Sequence, residues 1–302
     1  MSASRRDLVW GSLLAGASAI SYGVTVMIGR RLALAGLGPA SVLGTRFGSA
    51  GLFLLALLLL LDRPLLPAPG ERLAAFALGA VLYAGESACF FLGLERGTAA
   101  AVALLFYGYP ALVTLAELAS GTSRPDARTL LALALAFGGT AVVVGTGERV
   151  DISPAGIGFA AASAASFAVY VLVGPRWLRR TDSVTSAAWV ALGAGASFLG
   201  GGGALGLLRD PAGYWLWLAL NALATASAFS FLFAALRRLG ASRTSVVMTL
   251  EAFSAIVLSW LFLGETLGAL QAVGGAAVLA AAALIALGRA REDARSRGAP
   301  QA

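Results

Sequence analysis

Four ionisable side chains fall inside long apolar stretches of this sequence: Arg46, Glu86, Glu117 and Glu251. A charged group in hydrocarbon forfeits hydration, so such residues persist where they pair, bind a charged solute or relay protons. Glu86 lies about seven residues from the nearer end of its stretch, roughly 10 Å deep at 1.5 Å per residue. Helical spacing sets Tyr83, Glu86, Ser87 and Phe90 along one face. Two uses follow. Glu86 is a cavity carboxylate that takes a cationic group or a proton, or it is half of a structural ion pair with Arg46, which sits at a similar depth. The same pair then decides whether Glu86 ionises or couples to protons. Glu251 lies about six residues from the opposite membrane face and suits a gate or proton site, with snorkelling to water as the plainer alternative. Glu117, at a stretch end, is expected to reach water, as is Glu265.

Aromatic and small polar residues surround these charges. Tyr22, Tyr83, Tyr107, Tyr109, Phe167 and Tyr170 are mid-stretch rather than interfacial, and Trp189 comes early in its stretch. Asn221 and Thr225, four apart, share a helical face. Each alone is explained by packing. Together, with Glu86 and Glu251, they make a candidate solute site of apolar walls and a few polar handles. Ser18, Ser21, Ser163 and Ser166 have the spacing of helix-contact positions. The Gly200–Gly203 run has no preceding strand to make it a phosphate loop and suggests close packing or bending instead.

Enzymatic chemistry is poorly provided for. The chain has no histidine and one cysteine, Cys89, which removes histidine-dependent triads, HExxH zinc sites and cysteine-rich metal sites. No aspartate falls within an apolar stretch, so an intramembrane aspartyl protease is unsupported. Neither a metal nor a cofactor is expected, and a single cysteine permits no internal disulfide.

The residues must be held by membrane helices. The chain is 59% hydrophobic and 12% charged, with mean hydropathy +0.84, well outside the composition of soluble domains. Ten stretches of the length a bilayer requires lie near 8–28, 41–61, 73–93, 99–118, 130–147, 155–174, 186–208, 214–235, 245–264 and 267–288. Backbone groups in lipid must be satisfied locally, so these are helices. Turn signals such as Gly36-Leu-Gly-Pro39 and Ser153-Pro154 separate them, with a linker at about 175–185.

Three segments repeat. Residues 15–31 (AGASAISYGVTVMIGRR) recur at 160–176 (AAASAASFAVYVLVGPR), matching Ser18 to Ser163, Gly29 to Gly174 and Tyr22 to Phe167. The internal copy shows that the first is a structural helix, although Arg5-Arg6 and Ala17-Ser-Ala19 imitate a cleaved or twin-arginine signal. Leu94–Pro110 aligns without a gap to Leu236–Ala252, and Phe137-Gly-Gly139 meets Val273-Gly-Gly275. Each half therefore holds five helices, an odd number, so the second half is inverted. All 22 basic residues are arginines. With the N-terminus inside, sixteen fall in inner segments and five (Arg30, Arg31, Arg96, Arg149, Arg209) in outer ones, which predicts cytoplasmic termini. The net charge of +7 reflects these loop arginines, not a nucleic-acid face.

The ten-span plan, the helix-one motif with Gly29 and Gly174, Leu105-Phe-Tyr-Gly-Tyr-Pro-Ala-Leu112 and Trp260-Leu-Phe-Leu-Gly-Glu265 resemble the drug/metabolite transporter superfamily, EamA type. The ninth span departs from that pattern, with Glu251-Ala252 where a proline is usual. The resemblance implies an all-α membrane protein of ten transmembrane helices in two inverted five-helix repeats. Residues 1–150 form the first EamA-like repeat and 151–302 the second, with a cytoplasmic C-terminal tail. It implies a central cavity lined by helices one, three, four, six, eight and nine. The expected function is a secondary transporter that exports or exchanges a small organic metabolite, such as an amino acid or drug-like solute, across a bacterial inner membrane by alternating access. Its partners are the solute and membrane lipid, with a homodimer compatible and no nucleic acid. A flippase for lipid-linked substrates or a non-transporting scaffold are the alternatives.

Overall fold

The computed structural model describes residues 5–122, 126–146, 151–206, 213–263 and 268–287. The C-terminal arginines from Arg289 onward, Glu265, Arg124, Arg149 and Arg209 lie outside them. Ten helices are long and apolar enough to cross a membrane: α1 Arg6–Leu32, α2 Pro39–Leu60, α3 Arg72–Leu94, α4 Ala101–Ala119, α5 Ala127–Gly145, α6 Pro154–Trp177, α7 Ser183–Ala204, α8 Trp215–Leu239, α9 Ala241–Phe262 and α10 Ala269–Ala286. Local sequence sets their starts. Ser153 and Asp182 accept hydrogen bonds from Gly156 N and Val184 N, filling donors that a helix N-terminus leaves open. The linker between α6 and α7 is therefore shorter than the sequence suggests, because the helix runs on through Pro175 and Arg176 to Trp177.

Helix contacts obey the exchange of halves. Helix α1 packs on α8 as α6 packs on α3, and α1 meets α9 as α6 meets α4. The self-equivalent pairs α2–α7 and α5–α10 close the bundle. Two inverted five-helix repeats related by a pseudo-twofold axis account for these pairings, and they are the all-α architecture of this protein.

Glycine allows the closest crossings. A Cβ on Gly139 would lie 2.6 Å from the Gly274 carbonyl oxygen, and one on Gly274 would lie 2.6 Å from that of Gly139. Where α3 crosses α7, a Cβ on Gly79 would overlap the Val190 carbonyl and one on Gly193 that of Phe76. Small residues thus let backbones touch, as membrane helices require when lipid supplies no hydrophobic drive. The Gly200–Gly203 run takes no part in such packing at Gly200 and Gly201, around which the space is open; Gly195 is the close approach instead, where a Cβ would lie 2.6 Å from Gly48 N.

Three spans are interrupted. Helix α3 carries a π-helical stretch, Leu78–Tyr83, of the kind that widens a helix at functional positions. The fourth span breaks between Ala99–Phe106 and Tyr109–Ala119, and the ninth between Ala241–Met248 and Leu250–Leu263. The ungapped repeat pairs Tyr107 with Thr249, so the two breaks are equivalent. Pro110 does not kink a continuous helix; it sits in the first turn of the new half-helix, where its missing N–H costs nothing.

Candidate functional site

The breaks in the fourth and ninth spans lie at equivalent positions of the two halves. The second half-helices start at Tyr109 and Leu250, with Glu251 in the first turn, and rings from α1, α2, α3, α4, α6 and α8 pack together. Tyr83, at the end of the π-helical stretch, donates from Oη to Tyr22 Oη at 3.3 Å. Its ring lies 4.8 Å from Phe229, 5.2 Å from Tyr170 and 5.4 Å from Phe47, all edge-on. Tyr109 meets Phe167 at 4.7 Å and bonds the Ser245 carbonyl at 3.3 Å. These edge-to-face arrangements match the ring quadrupoles and fix the rings against each other. Tyr22, Tyr83, Glu86, Tyr109 and Tyr170 are each less than a tenth exposed, so the cluster is occluded.

Glu86 sits one turn along from Tyr83. Its Oε2 accepts from Ser87 Oγ at 2.9 Å and its Oε1 from Ser163 Oγ at 3.2 Å. Arg46 does not close on it: among the described residues no ion pair within 4.0 Å joins the two. The Arg46 guanidinium instead lies 4.2 Å from the centroid of Phe47, and its Nε is buried without a hydrogen-bond partner. The expected pairing gives way to this arrangement because α3 presents Glu86 to α6, and α2 packs chiefly on α7 and α8. Glu251 is partly buried and sits in the first turn of the second half of the ninth span. Glu86 is thus buried one turn from the hydrogen-bonded hydroxyls of Tyr83 and Tyr22. A buried carboxylate already oriented by two serine hydroxyls can hold a cationic group or pass a proton.

Other expected site residues lie apart from this cluster in their bonding. Asn221 and Thr225 are fully buried on α8, with Thr225 Oγ1 donating to the Asn221 carbonyl at 2.7 Å. Both amide atoms of Asn221 lack a partner. Trp189 spends its indole N–H on the Leu65 carbonyl at 2.8 Å, at the α2–α3 loop. Glu117, expected to reach water, is only 8% exposed. The first half of α9 covers it, where Ser242 Oγ also meets Thr114 Oγ1 at 2.9 Å. Sequence reasoning did not single out Phe47, Phe106 or Phe229, or the hydrogen bond from Ser163. The bond recurs in the other half, where Ser18, the repeat counterpart of Ser163, meets the carbonyl of Ala228, the residue that the same register carried along the helix pairs with Glu86.

On the face bearing the N-terminus, a clasp ties one half to the other. Buried Glu71 accepts from Arg180 N (3.0 Å), Arg180 Nε (3.4 Å), Thr181 N (3.0 Å) and Thr181 Oγ1 (2.6 Å). Thr185 Oγ1 donates to the Pro64 carbonyl at 2.9 Å, and Arg237 donates to the carbonyls of Leu178 and Thr181. Burial pushes the Glu71 carboxyl up, but the Thr181 and Arg180 hydrogen bonds outweigh it and hold it below the usual carboxylate range. Nothing in the sequence marked this clasp, because loop-to-linker bonds have no periodicity.

Comparison with known proteins agrees with the two-repeat fold. The profile of the EamA-like transporter family matches residues 9–145 and again residues 154–287. A solved structure, described only as "Crystal structure of protein", superposes with TM-score 0.79 at 18% identity, covering 96% of this chain and 99% of its own; that likeness shows the fold. No curated protein matches.

Proposed function

The chain belongs to the EamA-like transporter family, and from that premise we propose that it exports or exchanges a small organic metabolite bearing a cationic group, such as an amino acid or an amine. It does so by alternating access in an inner membrane, with both termini cytoplasmic. The observation that carries this reading is the buried carboxylate of Glu86, held by Ser87 and Ser163 one turn from the Tyr22–Tyr83 pair, in a bundle with two equivalent helix breaks, the second followed by Glu251. Glu86 and Glu251 take the cationic group, the faces of Tyr22, Tyr83, Tyr109, Phe167 and Tyr170 take its apolar body, and Arg46 takes an anionic end if one is present. Asn221, Thr225 and Trp189 complete the lining as the halves separate. The breaks at Tyr107 and Thr249 give each half a hinge, so that rocking opens the centre to one side and then the other. The energy comes from the solute gradient or from protons.

The test is flux through purified protein in proteoliposomes, screened by counterflow against a panel of amino acids, polyamines and aromatic amines. Export predicts that at least one such solute moves faster than through protein-free vesicles and that Glu86→Gln and Glu251→Gln slow it. If every cationic and zwitterionic solute stays at the background rate while neutral or anionic ones move, the proposed substrate class is wrong.

A further inference from the structure

The end of α1 and the end of α8 build a recess of about 370 Å³ on the face bearing the N-terminus, lined by Arg6, Asp7, Trp10 and Arg238. Gly11 brings these elements together: a Cβ there would lie 2.6 Å from Leu239 Cγ and 3.1 Å from Arg238 Cβ. Arg6 and Trp10 stand one turn apart on α1, on one face. Asp7 has a partner of its own, and among the described residues neither arginine forms an ion pair within 4.0 Å. Below the guanidinium groups the exposed side chains turn apolar: Trp10, Leu13 and Ile20 are each more than half exposed and run toward the membrane centre.

The pseudo-twofold axis supplies an internal control. The repeat pairs Arg238 with Arg96 and Gly11 with Gly156. Both arginines turn back on their own helix, Arg238 Nη1 to the Ala234 carbonyl at 3.0 Å and Arg96 Nη1 to the equivalent Leu92 carbonyl at 2.9 Å. Arg96 is then satisfied within the chain, by Glu95 at 3.2 Å and by the Phe159 ring at 5.0 Å. At Arg238 the position of Glu95 is taken by Arg237, and the ring and carboxylate are replaced by an open recess shared with Arg6.

We propose that this recess binds the headgroup of an anionic phospholipid from the leaflet on that face. The phosphodiester oxygens take the guanidinium donors of Arg6 and Arg238, Trp10 lies at headgroup level, and the acyl chains run along Leu13 and Ile20. Guanidinium forks suit phosphate oxygens, and basic recesses between membrane helices are where acidic headgroups lodge. A free phosphate would satisfy the arginines but gain nothing from the exposed indole and leucine beneath, so the occupant is a lipid. The site is independent of what the carrier moves.

The experiment uses the full chain in vesicles of equimolar phosphatidylglycerol and phosphatidylcholine, extracted gently and weighed by native mass spectrometry. The wild type should retain phosphatidylglycerol preferentially, and Arg6→Gln with Arg238→Gln should lower that retention about fivefold per guanidinium removed. Arg176→Gln, an exposed arginine on the same face, should leave it unchanged. Equal retention by the double variant and the wild type would overturn the proposal. So would thermal stabilisation of the wild type by millimolar inorganic phosphate equal to that by phosphatidylglycerol, which would make the recess a small-anion site. Should the double variant fail to fold, Trp10→Ala alone decides: reduced phosphatidylglycerol retention supports the lipid, and unchanged retention refutes it.

Discussion

Ser163 donates its hydroxyl to Glu86 at 3.2 Å, and its repeat counterpart Ser18 donates to the backbone carbonyl of Ala228 at 2.8 Å. Residue 228 is the repeat counterpart of residue 86. The same helix crossing, with the same serine, therefore faces a carboxylate in one half and a methyl group in the other. The second half places its carboxylate elsewhere, at Glu251, where the first half has Tyr109. Duplication built the frame, and divergence at these two pairs of positions made the centre chemically unequal.

Flux should depend on that inequality. Glu86→Gln is expected to cut transport about tenfold or more, a loss of ~1.4 kcal/mol or more in barrier terms. Glu117→Gln should keep most of the flux, since Glu117 is buried at the α4–α9 contact and away from the rings. Proteoliposome uptake of an identified solute measures both. Comparable small losses from the two variants would take Glu86 out of the transport step.

Arg46 and Glu86 should couple more weakly in a stability cycle than the members of a contact ion pair. Removing one member of a buried ion pair costs about 3–5 kcal/mol, and a second removal would then recover much of it. Here the guanidinium rests on Phe47 and the carboxylate on two serines. Thermal unfolding of Arg46→Leu, Glu86→Leu and the double variant should give a coupling energy well short of the about 3–5 kcal/mol of a broken contact pair. A double variant markedly more stable than Arg46→Leu would restore the ion pair.

Much of this frame was legible in the sequence and much of the site was not, for physical reasons. Span number, repeat register and inversion follow from hydrophobic length and parity, which are one-dimensional properties. The π-helical stretch at Leu78–Tyr83 leaves no such trace: it arises where α3 crosses α7, and Ser197 Oγ takes the Ala80 carbonyl at 2.8 Å. Pro110 signalled a disturbance in the fourth span, but the break falls before it, at Tyr107-Gly108. Thr249 breaks the ninth span with no proline at all. The placement of Trp189 at a loop, and of Glu117 under α9, depends on chain segments far away in sequence.

Glycine positions should separate sharply by crossing geometry. Gly79→Ala would press a methyl group into the Val190 carbonyl, and a backbone cannot yield as a side chain can. A loss of about 1–3 kcal/mol is expected, typical of overpacking. Gly200→Ala, with open space around it, should be neutral or slightly stabilising. Melting of detergent-purified variants distinguishes them, and equal melting temperatures would contradict the close α3–α7 crossing.

Topology reporters should place both termini and the 175–185 linker in the cytoplasm, following the sixteen-to-five distribution of arginines. The clasp gives this a structural corollary: Glu71 and Thr181 must lie on one side of the membrane. A fusion after Glu71 and a fusion after Thr181 that reported opposite sides would be incompatible with the bonds between them.

The clasp also predicts a pH dependence with a definite sign. Glu71 ionises more readily in the folded protein than an ordinary carboxylate, because four donors converge on its anion. A folded-state value below the unfolded one means that the anion contributes stability above the unfolded carboxylate range, near 4.3. That contribution declines as pH falls through the depressed folded value, where the proton binds and the donors from Thr181 and Arg180 lose their acceptor charge. Glu71→Gln keeps an acceptor oxygen but no charge, so it should lower stability by about 1–3 kcal/mol at neutral pH. The gap between wild type and variant should then narrow on acidification, measured as the difference between their melting temperatures from pH 7 to pH 3. Only the difference isolates Glu71, because other carboxylates titrate equally in both proteins. A gap that stays constant across that range, or widens, would mean that the charge of Glu71 does not hold the two halves together.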